Sequence, residues 1–278
     1  MIYNCYRILF LFILFSLSSC VMCSHTSEKK EREIIEAEEN DIESKNGQWS
    51  SLSTVGLPLV NDTIPSTILN RSSYTVSYNP TTRLPNWVMW HLTAEHTDGP
   101  LKRMNNFHED EDCPLPRATL QDYRGSGWSR GHMCPAGDNK WSNEAMYDSF
   151  SLVNVCPQNS KLNSGLWNSI EMDCRKWARK FGDIYIVCGP VLMKREHETI
   201  GDNKVVVPEA FFKVVLCLAG TPKAFGFIVR NTEGNKKKDL FYNSVDDVER
   251  ITGYDFFPAL PDEIENVVEA TARIEDWR

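Results

Sequence analysis

Hydrophobic and polar residues follow patterns that predict secondary structure from about residue 70 onward. Residues 73–79 alternate as a strand does and end at Asn79-Pro80, a turn signal. Apolar runs of strand length are found in four further segments: 85–93, 184–192, 211–219 and 224–229. A strand is also predicted for 151–156, whereas the polar, proline-containing residues 94–122 are predicted to form a loop.

Helical periodicity is clearest between Asn163 and Lys180, where apolar residues recur every three or four positions and Gly182 follows. Shorter helices are predicted for 142–150 and 244–251, and a last helix for 261–277. Strands interleaved with helices, without the regular spacing of βαβ units, favour an α+β fold.

The N-terminal residues are predicted to be a targeting segment. Arg7 precedes the apolar run ILFLFILFSL, which is too short to span a bilayer and suits a secretory signal. The following LSSC, ending at Cys20, is similar to a bacterial lipoprotein processing site. We therefore predict a signal peptide over 1–19 and acyl chains on Cys20 that anchor an exported protein to a membrane of the bacterial cell envelope. The alternative is a soluble secreted or periplasmic protein, cleaved near residues 23–24.

Residues 20–60 are predicted to be an acidic, flexible tether, and 61–278 a single globular domain. The alternative for the polar segment is an N-terminal helix packed on the domain. Hydrophobic residues make up 41% of the chain, which excludes collagen-like, coiled-coil and wholly disordered classes. The net charge of −8 excludes a protein that coats polyanions through net charge, so phosphate binding needs a local group of Arg and Lys.

Nine cysteines are present, and seven of them follow Cys20. In an exported protein we expect some of these to pair, with one left over because the number is odd. Cys188 and Cys217 lie in apolar strand-like runs and are either neighbours in a sheet or buried thiols. A structural zinc site is not expected, because the sequence lacks paired CxxC units at zinc-finger spacing.

The segment SRGHMCPAGD at 129–138 and the helix predicted from Asn163 to Lys180 contain the residues with the clearest chemical implication. Glu171 and Arg175 share one helix face, and Asn163 lies about two turns earlier. These residue types suit phosphodiester cleavage. A neutral His132, with an ordinary pKa of about 6.5, can accept a proton from water. Oxygens of Asn163 and Glu171 suit a hard divalent cation, and guanidinium groups bind phosphate.

Three motifs, RGH at 130–132, NVCPQN at 154–159 and LNSGLW at 162–167, resemble those of the sugar-non-specific DNA/RNA endonuclease family when taken with Glu171 and Arg175. The similarity extends from about Ser73 to Asp262. It implies an α+β protein with the ββα-metal (His-Me finger) nuclease fold, in which helices flank a central, mostly antiparallel sheet.

The resemblance also implies an activity and a cofactor. The protein would be an endonuclease that hydrolyses DNA and RNA with low sequence specificity and depends on Mg²⁺, with Mn²⁺ or another divalent cation as the alternative. His132 would be the general base and Asn163 the direct metal ligand. Glu171 would bind the metal or orient one of its waters.

Three arginines complete the implied site: Arg103 and Arg175 would stabilise the transition state, and Arg130 would contact substrate or shape the site. Ser129 stands where the family usually has Asp, which removes a charge beside the predicted base. Two other functions stay open, namely a catalytically impaired nucleic-acid-binding surface lipoprotein and a phosphodiesterase acting on small substrates.

Overall fold

The computed structural model describes residues 52–60, 63–232, 234 and 236–278. The predicted signal peptide, Cys20 and most of the predicted tether lie outside the described residues. Internal contacts divide the chain between Ser44 and Lys45, and all described residues belong to the second unit. Within the described ranges, no helix has both the length and the apolar character needed to cross a membrane.

A seven-stranded antiparallel sheet forms the centre of the domain. Its strands are β1 (Thr67–Asn70), β2 (Thr75–Asn79), β3 (Leu84–Thr93), β6 (Asp183–Val191), β9 (Ala210–Cys217), β10 (Lys223–Arg230) and β11 (Tyr242–Asn243). Their spatial order is β1-β2-β3-β6-β9-β10-β11. Two short antiparallel pairs lie outside this sheet: β4 (Ser129–His132) with β5 (Val155–Gln158), and β7 (Thr199–Ile200) with β8 (Val205–Val206).

Both faces of the central sheet are covered by apolar side chains. Every residue of β9 is buried. Phe211 and Val215 belong to a core cluster on one face, whereas Phe212 and Val214 belong to a cluster on the other. Because side chains alternate along a strand, Lys213 lies on the same face as Phe211 and Val215.

The helices cover these two faces separately. They are α1 (Leu120–Tyr123), α2 (Asn143–Ser149), α3 (Ser160–Leu162), α4 (Asn168–Phe181), α5 (Val245–Thr252) and α6 (Asp262–Glu269). A π-helical turn, Asn163–Trp167, joins α3 to α4. Helix α4 packs Ile170 into the first cluster, whereas α5 and α6 pack Val248 and Val268 into the second. Gly182 ends α4 with a φ of 97°, a conformation that favours glycine.

The antiparallel sheet and the helices near 142–150, 163–180 and 244–251 confirm the predicted α+β class. The strand predicted for 151–156 is wrong over its first half, which forms a 3-10 turn, Leu152–Asn154. There the Ser151 hydroxyl accepts a hydrogen bond from the Val153 N–H, and the chain becomes extended only at β5. Within the predicted loop 94–122, the side chain of Thr119 caps α1. The predicted last helix stops at Glu269, before a separate 3-10 turn, Ile274–Trp277.

The end of the predicted tether is packed against the domain. Leu52 and Val55 are fully buried in the second core cluster. The backbone N–H of Leu59 donates to the carbonyl oxygen of Asp255 at 2.9 Å. The predicted boundary at residue 61 is therefore too late, because residues 52–60 include part of the packed region.

The six described cysteines are all buried free thiols: Cys113, Cys134, Cys156, Cys174, Cys188 and Cys217. The pairing expected from the sequence is therefore absent among them. Cys188 lies opposite Lys213 in the sheet, and Cys217 follows Leu216, which lies opposite Tyr185. Cys188 and Cys217 are therefore buried thiols, which was one of the two alternatives predicted for them.

Candidate active site

A hairpin and a buried amide position His132. The residue ends β4 and lies opposite Val155 of β5. Beyond the strand, the backbone N–H of Cys134 donates to Oδ1 of Asn154 at 2.8 Å, and Nδ2 of Asn154 donates to the Cys134 carbonyl at 2.8 Å. Gly131 is required by space, because a Cβ there would lie 2.3 Å from Oε1 of the buried Gln158.

The imidazole of His132 is enclosed by two aromatic rings. Its centroid lies 5.1 Å from the Phe107 ring and 4.9 Å from the Phe150 ring. The residue is 5% exposed, and its Nε2 has no hydrogen-bond partner among the described residues. Burial, followed by the positive charges of Arg103 and Arg130, lowers the pKa of His132 to about 3. The ring is therefore neutral at physiological pH.

The same aromatic rings support two guanidinium groups at the edge of an open cleft. Arg130 lies over the Phe107 ring at 4.2 Å, and Arg103 lies over the Phe150 ring at 5.7 Å. Both arginines line a cleft of about 510 Å³, together with Phe107 and Asn163. Phe107 thus contacts the predicted base and faces the cleft that contains the predicted metal ligand.

Asn163 begins the π-helical turn that precedes α4. Such turns inside helices occur frequently at functional sites. Asn159 caps the preceding turn by accepting hydrogen bonds from the backbone N–H groups of Lys161 and Leu162. The Asn163 carboxamide makes no hydrogen bond within the described part of the chain, and it lines the cleft. Its oxygen is therefore available to a ligand.

Arg175 of α4 is held by a buried carboxylate. Its Nη1 donates to Oδ1 of Asp138 at 2.7 Å, and Oδ2 of Asp138 accepts a hydrogen bond from Nε1 of Trp90 at 3.1 Å. Gly137 allows the approach, because a Cβ there would lie 2.7 Å from Nη1 of Arg175. Asp138 is the last residue of the segment SRGHMCPAGD. The structure shows that Asp138 orients Arg175.

Glu171 lies one turn before Arg175 and is half-buried. Burial raises the pKa of Glu171 to about 7, and the negative charge of Asp138 adds to this effect. Lys213, Arg175 and Arg103 oppose it. Glu171 therefore changes charge near neutral pH, and a cation bound nearby would favour its ionised form.

Comparison with known proteins establishes the family. A sequence profile of the DNA/RNA non-specific endonucleases matches residues 54–263. The chain belongs to this family. Its members are nucleases, a class of hydrolases, and dependence on a divalent metal is typical of them.

Individual members show how much of the chain is shared. It is 36% identical over 264 residues to mitochondrial nuclease EXOG of Xenopus laevis, which covers 88% of this chain and 70% of that protein. Mitochondrial endonuclease G of Bos taurus is 35% identical over 227 residues, covering 76% and 74%. Mitochondrial nuclease EXOG of Mus musculus is 38% identical over 207 residues, which cover 68% of this chain and 56% of the mouse protein. The chain thus spans little more than half the length of the mouse relative.

A solved structure, that of EndoG in complex with EndoGI, has a TM-score of 0.69 at 27% identity. The match covers 77% of this chain and 93% of that chain. It confirms the predicted ββα-metal nuclease fold. In this chain β4 pairs with β5, and the helical segment that ends in α4 follows β5, which gives the order of a ββα unit.

Reasoning from the sequence missed two residues of this nuclease domain, Lys213 and Phe107. Lys213 of β9 is fully buried, and its Nζ lies 4.8 Å from the Trp90 ring centroid and 5.0 Å from that of Trp167. Burial lowers the pKa of Lys213, but the thiols of Cys188 and Cys174 and then the two site carboxylates raise it above its ordinary value. The thiols carry no charge at neutral pH, so the carboxylates favour the ammonium form there.

Some site residues could be recognised in the sequence and others could not. The predicted residues Arg103, Arg130 and Asn163 line one cleft in this nuclease, and His132 packs against its Phe107 wall. Lys213 had a signal as well: a lysine inside the apolar run AFFKVVLC is unusual, because buried lysines are rare unless paired. Phe107 had none, since it lies in a polar segment predicted as loop.

Proposed function

We propose that the chain is an endonuclease that hydrolyses phosphodiester bonds of DNA and RNA with low sequence specificity. The observation that carries the proposal is the neutral imidazole of His132, whose Nε2 has no hydrogen-bond partner among the described residues, beside a cleft lined by Arg103, Arg130 and Asn163. Family membership supports a nuclease activity, and the arrangement of these side chains supports the roles assigned below.

His132 is the general base in this proposal. Because its pKa is lowered to about 3, the ring is unprotonated at neutral pH and can accept the proton of an attacking water molecule. The rings of Phe107 and Phe150 fix its orientation. A base held by apolar contacts keeps its ring nitrogen for the reaction.

The donor set fits a hard divalent cation, Mg²⁺ in our proposal. Asn163 offers a carboxamide oxygen that makes no hydrogen bond to the part of the chain that the structure describes, and Glu171 offers a carboxyl group whose pKa burial raises to about 7. Oxygen donors of this kind suit Mg²⁺ and Mn²⁺. When bound, such a cation supplies positive charge for the transition state and the leaving oxygen.

The arginines bind and stabilise phosphate. Arg103 and Arg130 lie at the cleft, where they can contact the backbone of the substrate. Arg175 uses one N–H on Asp138, which fixes the plane of the guanidinium and leaves further N–H groups for a phosphate oxygen. Contacts to phosphate carry no base information, so low sequence specificity follows. Since the chain has a net charge of −8, substrate binding should be local and sensitive to salt.

The test is cleavage of supercoiled plasmid and of structured RNA, with Mg²⁺ and with EDTA. We expect cleavage of both substrates with Mg²⁺ and loss of cleavage with EDTA. Replacement His132→Ala should lower turnover by about 10²–10⁴-fold. His197, which pairs with Glu209 at 3.0 Å outside the cleft, provides the control His197→Ala with near-normal turnover.

A second pair of variants tests the metal site. Asn163→Ala should raise the Mg²⁺ concentration needed for half-maximal activity, whereas Asn168→Ala, at an exposed position of α4, should not. Near-normal cleavage by His132→Ala would refute the assignment of the base. A purified chain that binds plasmid but never cleaves it would instead support the alternative of a catalytically impaired nucleic-acid-binding lipoprotein. Activity confined to small phosphodiesters would support the alternative of a phosphodiesterase acting on small substrates.

We also propose that the nuclease is exported and anchored through acylated Cys20. The support comes from the sequence, namely the apolar leader and its LSSC segment. The relatives EXOG and endonuclease G are called mitochondrial, but those names describe the localisation of those proteins. Radioactive palmitate should label the full chain in a bacterial host, and Cys20→Ser should abolish the label. An unlabelled, soluble exported chain would refute the anchor and support cleavage near residues 23–24.

A further inference from the structure

Three carboxylates converge on the face of the sheet opposite α4. Asp246 and Glu249 lie one turn apart on α5, and Glu269 is the last residue of α6. Each offers an oxygen, and these oxygens all lie within 4.8 Å of one another. Since α5 and α6 pack on the second core cluster and α4 packs on the first, this group is separate from the proposed active site.

Glu269 is placed where a carboxylate is unfavourable without a cation. The residue is 5% exposed, and its Oε1 has no hydrogen-bond partner among the described residues. It faces the carboxylates of Asp246 and Glu249. A negative charge at the C-terminal end of a helix is also disfavoured by the helix dipole. A buried polar atom without a partner is costly, so its position points to a ligand.

The surrounding protein adds negative charge. The carboxylates of Glu249, Glu265, Asp246 and Asp255 all lie near enough to Glu269 to act on it through their charge. Arg250 does not compensate this charge, because its Nη2 pairs with Oδ1 of Asp247 at 2.6 Å. Oε1 of Glu249 accepts a hydrogen bond from the backbone N–H of Phe256 at 2.8 Å, which fixes that side chain.

We propose that Asp246, Glu249 and Glu269 bind one Ca²⁺ ion. An all-oxygen donor set selects a hard cation. Mg²⁺ is usually held by one or two carboxylates and keeps several waters, whereas Ca²⁺ accepts more protein oxygens in a flexible geometry, so three converging carboxylates favour Ca²⁺. Asp246 is exposed, which leaves room for water to complete the coordination. The ion fastens the end of α6 to α5.

The experiment is thermal unfolding of the metal-free full chain at pH 7.5, titrated with CaCl₂ and, separately, with MgCl₂. At a Ca²⁺ concentration about 100-fold above the Kd, the Tm should rise by about 5–11 °C. Isothermal titration calorimetry should give one Ca²⁺ per chain in the Asn163→Ala background, which removes the proposed nuclease metal ligand. In that background MgCl₂ should raise the Tm by less than half as much.

Glu269→Gln should abolish the Ca²⁺-dependent rise in Tm and leave plasmid cleavage unchanged. Glu263→Gln, an exposed residue of the same helix, is the matched control and should keep the full rise. If Glu269→Gln does not fold, Asp246→Asn at the exposed side of the group should weaken Ca²⁺ binding at least tenfold.

Several results would overturn the proposal. One is a wild-type Tm that does not respond to Ca²⁺. Another is an equal response in Glu269→Gln or Asp246→Asn, and a third is loss of the response in Asn163→Ala, which would assign the ion to the nuclease site. An equal response to Mg²⁺ in Asn163→Ala would refute the choice of Ca²⁺.

Discussion

Replacing Lys213 by methionine removes a buried charge while it keeps the length and most of the apolar surface of the side chain. The ammonium lies 4.8 Å and 5.0 Å from the ring centroids of Trp90 and Trp167. Its positive charge favours the ionised forms of Asp138 and Glu171. The variant would leave these two carboxylates with one cation fewer in a buried environment.

The expected loss follows from that environment. Nζ of Lys213 makes no hydrogen bond to either carboxylate, and Asp138 keeps its bond from Arg175, so the variant breaks no ion pair and should lose about 1–3 kcal/mol in the free energy of unfolding. For a domain of this size each kcal/mol corresponds to about 2–4 °C, so the Tm of Lys213→Met should fall by about 2–12 °C. The Mg²⁺ requirement should rise as well, because the largest influence that lowers the pKa of Glu171 is lost.

Circular dichroism during heating at pH 7.5 measures the effect, with Lys223→Met as the matched control. Lys223 lies in β10, next to the strand of Lys213, and its Nζ is 3.9 Å from the Phe181 ring centroid, but the residue is partly exposed. The control should therefore lose about 1 kcal/mol or less. If Lys213→Met were as stable as the wild type, the ammonium would not compensate the buried carboxylates, and our account of Lys213 would be wrong.

Three further predictions concern the same site. In the unfolded chain His132 binds a proton below its ordinary pKa of about 6.5, whereas in the folded chain it does so only near pH 3. As the pH decreases from 6.5 to 3, the free energy of unfolding should therefore fall by up to about 1.4 kcal/mol per pH unit. His132→Gln should lack this component in guanidinium unfolding at pH 5 and pH 7. Asp138→Asn should lower kcat by about 100-fold with little change in KM, since Arg175 loses its orientation; an unchanged kcat would contradict that role. Below pH 7 Glu171 gains a proton, so the Mg²⁺ concentration for half-maximal cleavage should rise by up to about tenfold per pH unit, and a flat profile would show that Glu171 is not a ligand.

The parts of the site that lie close together in the sequence were predictable. Glu171 and Arg175 share a helix face because of helical spacing alone, and the apolar positions of that helix do enter the core. The π-helical turn at Asn163 was not predictable from periodicity, because it changes the number of residues per turn just where the helix begins.

Contacts between segments that are distant in the sequence could not be predicted from it. The aromatic contacts that enclose His132 depend on Phe107 from a long irregular segment, and the hydrogen bond that Arg175 donates to Asp138 depends on how the ββα unit folds back on itself. The same limit explains Glu269, which the sequence presents as one of several acidic residues on a surface helix but which the structure buries. The local hydrophobic pattern determines which face of a helix or strand is apolar, whereas tertiary packing determines which polar side chains are buried next to that face.

The reduced state of the six described cysteines makes the domain independent of oxidative folding. Its cohesion comes from two apolar layers on a continuous sheet, so no covalent crosslink among these residues has to form before the hairpin of His132 and the helix of Arg175 come together. A reducing agent should therefore leave both folding and cleavage intact. Such a scaffold can be made in a reducing cell interior and still work after transfer to an oxidising one, because its thiols are shielded within the core.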